Sequence, residues 1–463
     1  MEMADKESGN GKENRHLRTR KKVKISQCMI VKDEEQNIVR ALSWGKGIVS
    51  EQIVVDTGST DRTVEIARQM GARVYQIPWT NDFSAAKNYA IGKASGDWIA
   101  FLDADEYFTE EDGKKLAAYV TELQDTSCDM IMSGWINLDE QGQITSVMTQ
   151  CRVFRNQPAL RYEGRIHEHL VLSGGKTAEM VDLVENLSIF HTGYEKRELR
   201  KKEGRNLPLI QAELSEHPED YRMLGYLGKE YMIMEKYDQA AEVFRKALFL
   251  MPDEAKGVYD GTTSEIAMRL IAILAADRAT KEDELLKVYD RAVQFWSEEA
   301  DYDYMVAQYY TSHGNFQSGE KHLRQALSLL ERYGYACKST QLSAEIKKAY
   351  ELLAVCCYNN GNRSGCVSVT MAILKEDPYL MSTLTILLLA FCKEAETGKK
   401  RGNGAEELLA FLGRSLYDFQ TLKDRLFVLK AAMAAGYEDL ILLIKGMFTC
   451  EELEIVEQSL SSI

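Results

Sequence analysis

The stretch DWIAFLDAD, residues 97–105, combines a run of apolar residues with two closely spaced aspartates at its end. The apolar run has the length and composition of a buried strand, and Asp103 and Asp105 follow it directly. Three earlier runs have the same character: KISQCMIVK (24–32), QIVVD (52–56) and ARVYQI (72–77). Helical periodicity lies between the runs, near residues 34–44, 61–70 and 83–94. This alternation of strand and helix predicts an α/β domain with a mostly parallel, Rossmann-like sheet.

The second of these helices has candidate signals at both ends. Ser59 and Thr60 precede Asp61 and are the residue types that cap helix N-termini. Gly71 stands where the helix should stop. We therefore expect a helix over about residues 61–70.

The chain changes character after Tyr194, because from there to Ile463 only helical periodicity remains. The segment Tyr221 to Glu254 resembles a tetratricopeptide repeat, in which small residues let two helices approach and large residues fill the space between them. The matching residues are Leu224, Leu227, Gly228, Tyr231, Ala240, Phe244, Ala247 and Pro252. Weaker copies begin near Ile266, Ala300 and Lys347. An all-α helical-repeat domain is predicted, with a repeat number left open.

Three segments result from these patterns. Residues 1–22 are predicted to form a disordered basic tail, because they are polar and charged and include the basic run from Arg15. Residues 23–200 form the α/β domain and residues 201–463 the helical-repeat domain. The boundary falls in the charged stretch Glu195 to Arg205.

Composition excludes several classes of protein. With 45% hydrophobic and 28% charged residues the chain is expected to fold as a globular protein. Its net charge of −14 argues against binding nucleic acid over its whole surface. The nine cysteines are odd in number and contain no C-x-x-C, so reduced thiols and a cytoplasmic location are expected. Nothing resembles a secretory signal, and the longest apolar stretch, Leu380 to Cys392, is too short to span a membrane.

Acidic side chains mark the expected ligand site. In open α/β sheets ligands bind beyond the carboxyl ends of the strands, and Asp56, Asp103 and Asp105 all stand at such ends. Two carboxylates at one strand end repel each other unless a cation lies between them, and Mg²⁺ or Mn²⁺ prefers such oxygen ligands. No G-x-G-x-x-G follows the first strand and no P-loop occurs, so phosphates are expected to be held through metal. For Asp56 a structural role as a helix cap is the alternative.

Seven short motifs resemble those of a known protein family. VKDEEQNI (31–38), VVDTGSTDRT (54–63), DFSAAKNYAI (82–91) and FLDADEYF (101–108) resemble, in order and spacing, the inverting family 2 glycosyltransferases of the GT-A fold. RVFRN (152–156), YEGRIHE (162–168) and FHTGY (190–194) are similar to a bacterial subgroup that joins this domain to tetratricopeptide-like helices and includes a peptide S-glycosyltransferase. By motif the resemblance covers about residues 23–195, and by architecture it covers the rest.

The resemblance implies a set of residues that bind the nucleotide sugar: Ile30, Lys32, Glu34, Asp56, Lys87 and Asp103. The end of the first strand, Ile30 to Glu34, would line the base pocket, and Asp56 would bind the base or ribose. Lys87 would neighbour the nucleotide, and Asp103 would contact the ribose or metal-bound water. Family members commonly have Asn where this chain has Asp33 and Arg where it has Lys87, and lysine lacks the planar fork of arginine.

The resemblance also implies the residues of the chemical step. Asp105 would bind Mn²⁺ or Mg²⁺, His191 would touch the metal or the diphosphate, and Glu168 would be the catalytic base. Two alternatives remain open at this point. If the segment around Glu168 is a strand, His167 and His169 share one face and either could meet a metal instead. His191 could equally be a buried, hydrogen-bonded histidine.

These residues predict a metal-dependent inverting glycosyltransferase. It would move a sugar from a nucleotide-diphosphate donor, UDP-sugar being expected, to an acceptor. Concave helical repeats suit extended partners, so a peptide or protein acceptor is expected in the helical domain, although the same helices could form a homodimer. The alternatives are a lipid-linked or envelope-polysaccharide acceptor, or a scaffold with a degenerate transferase domain. A sugar-phosphate nucleotidyltransferase is disfavoured, because KDEEQN (32–37) is not a Gly- and Arg-rich phosphate loop.

Overall fold

The computed structural model describes residues 22–192, 206–258, 262–334, 340–396, 404–449 and 451–453. The chain divides into two compact units, Met1–Glu216 and His217–Ile463. The predicted basic tail, apart from residue 22, lies outside the described residues. So does the charged stretch from Glu195 to Arg205 in which the boundary was expected.

The N-terminal unit contains eleven described strands, four described α-helices and a short 3₁₀ helix, Leu123–Asp125, before residue 193. The strands are β1 (Ile25–Val31), β2 (Glu51–Asp56), β3 (Arg73–Gln76), β4 (Trp98–Phe101), β5 (Glu106–Phe108), β6 (Met130–Leu138), β7 (Ile144–Arg155), β8 (Leu160–Glu163), β9 (His169–Leu172), β10 (Met180–Asp182) and β11 (Ser188–His191). The helices are α1 (Ile38–Ser43), α2 (Thr63–Gln69), α3 (Phe83–Ile91) and α4 (Glu110–Glu122). A further helix, Leu207–Glu216, belongs to the same unit.

The main sheet has the order β3-β2-β1-β4-β7-β6-β11-β5, with β10 also paired to β6. The first four strands pair in parallel, as predicted, whereas β7 runs antiparallel to both β4 and β6. Because β1 pairs with β2 on one side and β4 on the other, the strand order reverses at β1. Ligands of open α/β sheets bind at such a reversal. The α/β fold class predicted from the sequence is confirmed, with an antiparallel half added to it.

Strand β4 is buried on both faces, which explains its continuous apolar sequence. Trp98 and Ala100 belong to a core cluster that includes residues of α4, whereas Ile99 and Phe101 belong to a cluster that includes residues of α3. Helices therefore cover this strand on both sides. The acidic residues that follow it emerge at the edge of the sheet.

Helix α2 begins two residues later than expected, and its N-cap residue, Arg62, makes no side-chain cap hydrogen bond. Its first residue is Thr63, whose N–H donates to the carboxylate of Asp61 at 2.9 Å. Neither Ser59 nor Thr60 caps the helix, because both contact Asp33 in the loop after β1. The predicted caps are therefore wrong. The residues have the right chemistry, but they are used to join two loops.

The C-terminal unit is helical throughout the part of the chain that the structure describes, which confirms the predicted class. Its helices are Tyr221–Ile233, Tyr237–Leu250, Thr263–Ala276, Glu282–Phe295, Ala300–Ser312, Phe316–Tyr333, Thr340–Ala344, Ile346–Asn359, Arg363–Glu376, Met381–Glu396, Gly404–Ser415, Leu422–Ala434 and Glu438–Lys445. The weaker repeat copies expected near Ile266, Ala300 and Lys347 each start in the first helix of a pair. Among the described residues, no helix has the length and apolar character needed to cross a membrane.

The first helical pair shows why the repeat pattern requires a small residue at Gly228. A Cβ atom added there would lie 2.4–2.6 Å from atoms of the Phe244 ring, and Phe244 is fully buried. Overpacking of a core costs about 1–3 kcal/mol. The two helices can approach closely only because position 228 carries no side chain.

We expect Gly228→Ala to lower the free energy of unfolding of the C-terminal unit by about 1–3 kcal/mol. Chemical denaturation followed by circular dichroism measures the change. Gly404→Ala is the matched control, because the nearest atom to its added Cβ is 4.0 Å away. Equal stability of the two variants would contradict the proposed packing.

Candidate active site

The carboxyl end of β1 lies beside Asp56, the last residue of β2. Val31 pairs with Asp56 in the parallel register of β1 and β2, so the loop that begins at Lys32 starts beside that carboxylate. Ile30 is half-buried and pairs with Val55, Lys32 is exposed, and Glu34 is half-buried with its N–H donated to Thr63 Oγ1 at 2.7 Å. The structure therefore brings together the predicted nucleotide-binding residues at this end: Ile30, Lys32, Glu34 and Asp56.

Asp56 is 1% exposed and closes the turn that follows its own strand. Its carboxylate accepts the N–H of Ser59 at 3.0 Å and of Gly58 at 3.4 Å, and the side-chain amide of Gln76 donates to it at 3.3 Å. The alternative role as a cap of α2 is not observed, because the N-cap position is Arg62 and the carboxylate of Asp56 bonds to groups before it. Asp56 instead shapes the turn at the ligand-binding edge.

The loops after β1 and β2 are held together by Asp33. Its carboxylate accepts from the N–H of Thr60 at 2.7 Å, and its own N–H donates to the hydroxyl of Ser59 at 2.9 Å. Asp33 has φ of 55°, a left-handed conformation that Asn and Asp adopt more readily than other residues with side chains. Asp and Asn both adopt this left-handed conformation readily. This explains why the chain can have Asp33 where members of the family it resembles commonly have Asn.

A ladder of alternating charges runs past the end of β4. Lys87 Nζ lies 2.7 Å from Glu168 Oε1 and 3.8 Å from Asp103 Oδ1. Asp103 Oδ2 lies 2.7 Å from Arg152 Nη2, and the same guanidinium lies 2.6 Å from Glu106 Oε1. Each buried cation thus stands between two carboxylates, which offsets the cost of removing these charges from water.

The cations in this ladder remain charged. Burial by itself lowers the pKa of Lys87, but the carboxylates of Asp103 and Glu168 outweigh it and raise the pKa above its ordinary value. The same balance holds the pKa of Arg152 well above its ordinary value, with Asp103 the largest favourable contribution. For Glu106, burial raises the pKa, although Arg152 opposes the shift.

Asp105 and His191 form a second group beside the ladder. Nε2 of His191 lies 3.3 Å from Oδ2 of Asp105, and Nδ1 lies 2.8 Å from Oδ1 of Asn137. Because the Asn137 amide nitrogen donates to Ser146 at 2.8 Å, its oxygen faces the imidazole and accepts from Nδ1–H. His191 also stacks on Trp135, with ring centroids 4.5 Å apart. The histidine is therefore both buried and aimed at the acidic residue.

The two groups are joined through Trp135 and Glu106. The indole Nε1 of Trp135 donates to Glu106 Oε1 at 3.0 Å while the ring stacks on His191. Asp103, Asp105, Lys87, Glu168 and His191 therefore belong to one connected site at the carboxyl end of β4. Within the described ranges, no group of three or more His, Cys, Asp or Glu side chains is arranged around one ion position.

Glu168 lies in a loop, so the premise that its segment is a strand is wrong. Strand β8 ends at Glu163 and β9 begins at His169. His167 has φ of 53°, outside extended geometry, and both His167 and His169 are exposed. The alternation that would place the two imidazoles together on one face is absent here. The side chain of Glu168 is only 14% exposed and points to Lys87.

Sequence reasoning did not select four residues of this site as functional: Glu106, Trp135, Asn137 and Arg152. The sequence around Arg152 could have indicated a functional residue, because Arg152 is the first residue of RVFRN (152–156) and precedes the buried residues Val153 and Phe154. A charged residue next to fully buried strand residues needs a partner. Trp135 and Asn137 lie in β6, a strand that the sequence analysis did not predict.

Comparison with known proteins identifies the family of the N-terminal domain. Residues 26–172 match the model of the family described as Glycosyl transferase family 2, and this chain therefore carries a family 2 glycosyltransferase domain. It is similar to a TPR repeat-containing protein of Synechococcus elongatus, at 34% identity over 211 residues, covering 44% of this chain and 51% of that protein. It is also similar to the SPbeta prophage-derived glycosyltransferase SunS of Bacillus subtilis, at 30% identity over 228 residues, covering 48% and 53%. The chain thus spans about half the length of these relatives.

Among solved structures, one match is glucosyl-3-phosphoglycerate synthase from Mycobacterium tuberculosis, in complex with Mn²⁺, UDP and glucosyl-3-phosphoglycerate. The sequence identity is 25% and the TM-score 0.22, and the match covers 24% of this chain and 44% of that one. The assignment of the domain to family 2 rests on the family model and the sequence relatives.

Proposed function

We propose that this protein is a metal-dependent inverting glycosyltransferase that moves a sugar from a nucleoside-diphosphate donor to an acceptor. The observation that supports it is the connected set of charged residues at the carboxyl end of β4, next to the reversal of strand order. Three carboxylates, Asp103, Glu106 and Glu168, face two cations, Lys87 and Arg152. A fourth carboxylate, that of Asp105, lies beside them against His191. The carboxylates outnumber the cations by two, which suits a divalent cation.

Asp105 and His191 are the residues that would hold Mn²⁺ or Mg²⁺. Their Oδ2 and Nε2 atoms are 3.3 Å apart, compatible with two neighbouring ligands of one ion at bond lengths near 2.1 Å. Metal-binding histidines usually donate their other ring N–H to a carbonyl or carboxylate, as His191 does to Asn137. Bound there, the ion would supply positive charge to the diphosphate leaving group. Oxygens of the donor and water would complete its coordination.

The other residues of the site would bind the nucleotide and accept the proton. The turn shaped by Asp56 and the loop from Lys32 to Glu34 would receive the nucleoside, and Asp103 would orient the ribose. Glu168 would accept the proton of the acceptor as it attacks the anomeric carbon from the face opposite the diphosphate. Displacement with a positioned base and a leaving diphosphate inverts the configuration at that carbon.

The helical unit is proposed to bind the acceptor, for which a peptide or protein is the first candidate. A pull-down with the full-length chain and a library of synthetic peptides tests this, and capture of a second copy of the chain would instead indicate a homodimer. The cysteines that the structure describes are free thiols, which supports a reducing compartment such as the cytoplasm.

A donor screen is the experiment that tests the proposed function. The full chain is incubated with a panel of nucleotide sugars, with and without Mn²⁺, and released nucleotide is measured by mass spectrometry. Metal-dependent release of one nucleoside diphosphate, UDP being expected, supports the proposal. If no donor is consumed and calorimetry detects no binding of UDP with Mn²⁺, the scaffold alternative is correct.

We expect Glu168→Gln to lower kcat by about 10²- to 10⁴-fold, because a general base typically contributes that factor. Donor binding, measured by calorimetry, should stay close to that of the wild type, since the substitution keeps the size of the side chain. Glu163→Gln is the matched control in the same segment, because Glu163 is exposed. Full activity of Glu168→Gln would remove this residue from the catalytic role.

A further inference from the structure

One face of α3 is devoted to holding the segment that carries Glu168. Ser84, Lys87 and Asn88 stand at positions i, i+3 and i+4, which places them together on one side of the helix. Ser84 Oγ donates to the carbonyl of Gly164 at 2.6 Å. Lys87 Nζ lies 2.7 Å from Glu168 Oε1. This face therefore reaches the segment at two points four residues apart.

Asn88 and the first turn of α3 extend the contact. The Asn88 amide nitrogen donates to the carbonyl of Tyr162 at 2.8 Å, and its oxygen accepts the N–H of Tyr162 at 3.0 Å. The N–H of Phe83 donates to the carbonyl of Arg165 at 2.8 Å. An asparagine that bonds both backbone groups of one residue replaces a strand partner. The whole segment from Tyr162 to Glu168 is thus fastened to the helix.

The segment needs such support because its own backbone includes two left-handed conformations. Gly164 has φ of 94° and His167 has φ of 53°, and His167 immediately precedes Glu168. A left-handed conformation at a residue with a side chain is held only when its surroundings determine it. The direction in which Glu168 points is therefore set from outside the loop.

Lys87 is better placed for this task than for contact with a ligand. Its side chain is 3% exposed, and its ammonium lies 5.2 Å from the ring centre of Phe101 and 4.9 Å from that of Tyr162. The two rings and two carboxylates, Asp103 and Glu168, surround the nitrogen. Little of the charged group remains available to a diphosphate.

We propose that α3 is the positioning element of the catalytic base: Ser84, Lys87 and Asn88 fix the loop so that Glu168 meets the acceptor. Lys87 is a positioning residue in this assignment, in place of the nucleotide contact that the sequence resemblance implied. The inference rests on the proposed role of Glu168. Its structural part, the fastening of the loop by α3, is testable without any enzyme activity.

Hydrogen–deuterium exchange of the full chain tests the structural part. Lys87→Met and Asn88→Ala should each speed exchange of peptides covering residues 162–170 by about tenfold or more, because local opening there loses a constraint. Peptides of the N-terminal unit that contact neither Lys87 nor Asn88 should change less than those covering residues 162–170, whereas the peptide that carries Asp103 should also respond to Lys87→Met because it loses the same ammonium. Lys114→Met is the control, since Lys114 is exposed and pairs with Glu110 on its own helix. Unchanged exchange at 162–170 in both variants overturns the inference. If Lys87→Met does not fold, the result for Asn88→Ala alone decides.

A double-mutant cycle tests the catalytic part. Lys87→Met should lower kcat by about 10²-fold, yet change it by less than about threefold in the Glu168→Gln background, because a residue that acts through Glu168 has no further effect once the base is gone. The Kd for donor, measured by calorimetry, should change by a smaller factor than kcat, because Lys87 reaches the donor side only through Asp103. Additive losses in kcat, or a weakened donor Kd as the main effect, would restore Lys87 as a nucleotide contact. An inactive wild type would overturn the proposed function instead, while the exchange experiment would still decide on the fastening of the loop.

Discussion

Asp105→Ala should abolish sugar transfer while the protein stays folded. Asp105 is one of the two residues that would hold the divalent cation, and its Oδ2 lies 3.3 Å from His191 Nε2. Stabilisation of a leaving group by metal contributes several kcal/mol, which corresponds to more than about 10³-fold in rate. The loss should therefore be at least as large as that of Glu168→Gln. The measurement is the initial rate of nucleotide release and of acceptor modification at saturating Mn²⁺.

The fold should survive this substitution because Asp105 lies in a loop and its backbone carbonyl, which accepts the N–H of Thr192 at 3.1 Å, is retained by alanine. Circular dichroism and calorimetric binding of free nucleotide provide the check on structure. Asp125→Ala serves as the matched control, because Asp125 is exposed at the end of the short helix Leu123–Asp125. Transfer at a wild-type rate by Asp105→Ala, with any nucleotide sugar, would refute the assignment of the metal ligand.

Arg152→Met should destabilise the N-terminal unit severely. The Arg152 guanidinium lies 2.6 Å from Glu106, which is 1% exposed, and 2.7 Å from Asp103. Removing one partner of a buried ion pair leaves an uncompensated charge and costs about 3–5 kcal/mol. Denaturation followed by tryptophan fluorescence measures the loss, since four of the five tryptophans lie in this unit: Trp44, Trp79, Trp98 and Trp135.

Two companion variants make the result interpretable. Arg152→Met combined with Glu106→Gln should recover part of the stability, because glutamine carries no charge and its amide oxygen still accepts the indole N–H of Trp135. The recovery should be incomplete, because the amide nitrogen then faces the N–H of Asp103, which donates to the second carboxylate oxygen of Glu106 in the wild type. Arg62→Met breaks an Arg–Glu pair at the surface, with side chains 65% and 53% exposed, and should change the stability little. A stability of Arg152→Met equal to that of Arg62→Met would show that the buried ladder contributes no more than a surface pair.

The parts of the fold that could be predicted from the sequence are those with a strong local pattern. Strand β4 and the aspartates after it are predictable because an apolar run followed by acidic residues has one physical interpretation in an α/β sheet. The helical pair around Gly228 is predictable because small and large residues alternate at fixed spacing. The antiparallel strands β6 and β7 were not predicted, because the residues of β7 up to Thr149 are exposed and give no buried pattern.

The parts of the site that escaped prediction depend on contacts between distant residues. Lys87 was selected, but its partner Glu168 lies 81 positions further on, and nothing local shows that the two meet. Ser59 and Thr60 were interpreted by their neighbour Asp61, whereas the structure joins them to Asp33 in another loop. Hydroxyl and carboxylate groups can satisfy either partner, so tertiary position decides between them.

The ammonium of Lys87 is shared by Asp103 and Glu168, so positions 87, 103 and 168 cannot be redesigned independently. A substitution that alters one carboxylate changes the electrostatic field at the other through the same nitrogen, so the effects of substitutions at positions 103 and 168 are coupled. A new group at position 168 calls for a compatible side chain at position 87, and that choice in turn resets the charge felt at position 103. Libraries that vary these three positions jointly explore productive combinations that one-at-a-time scanning misses.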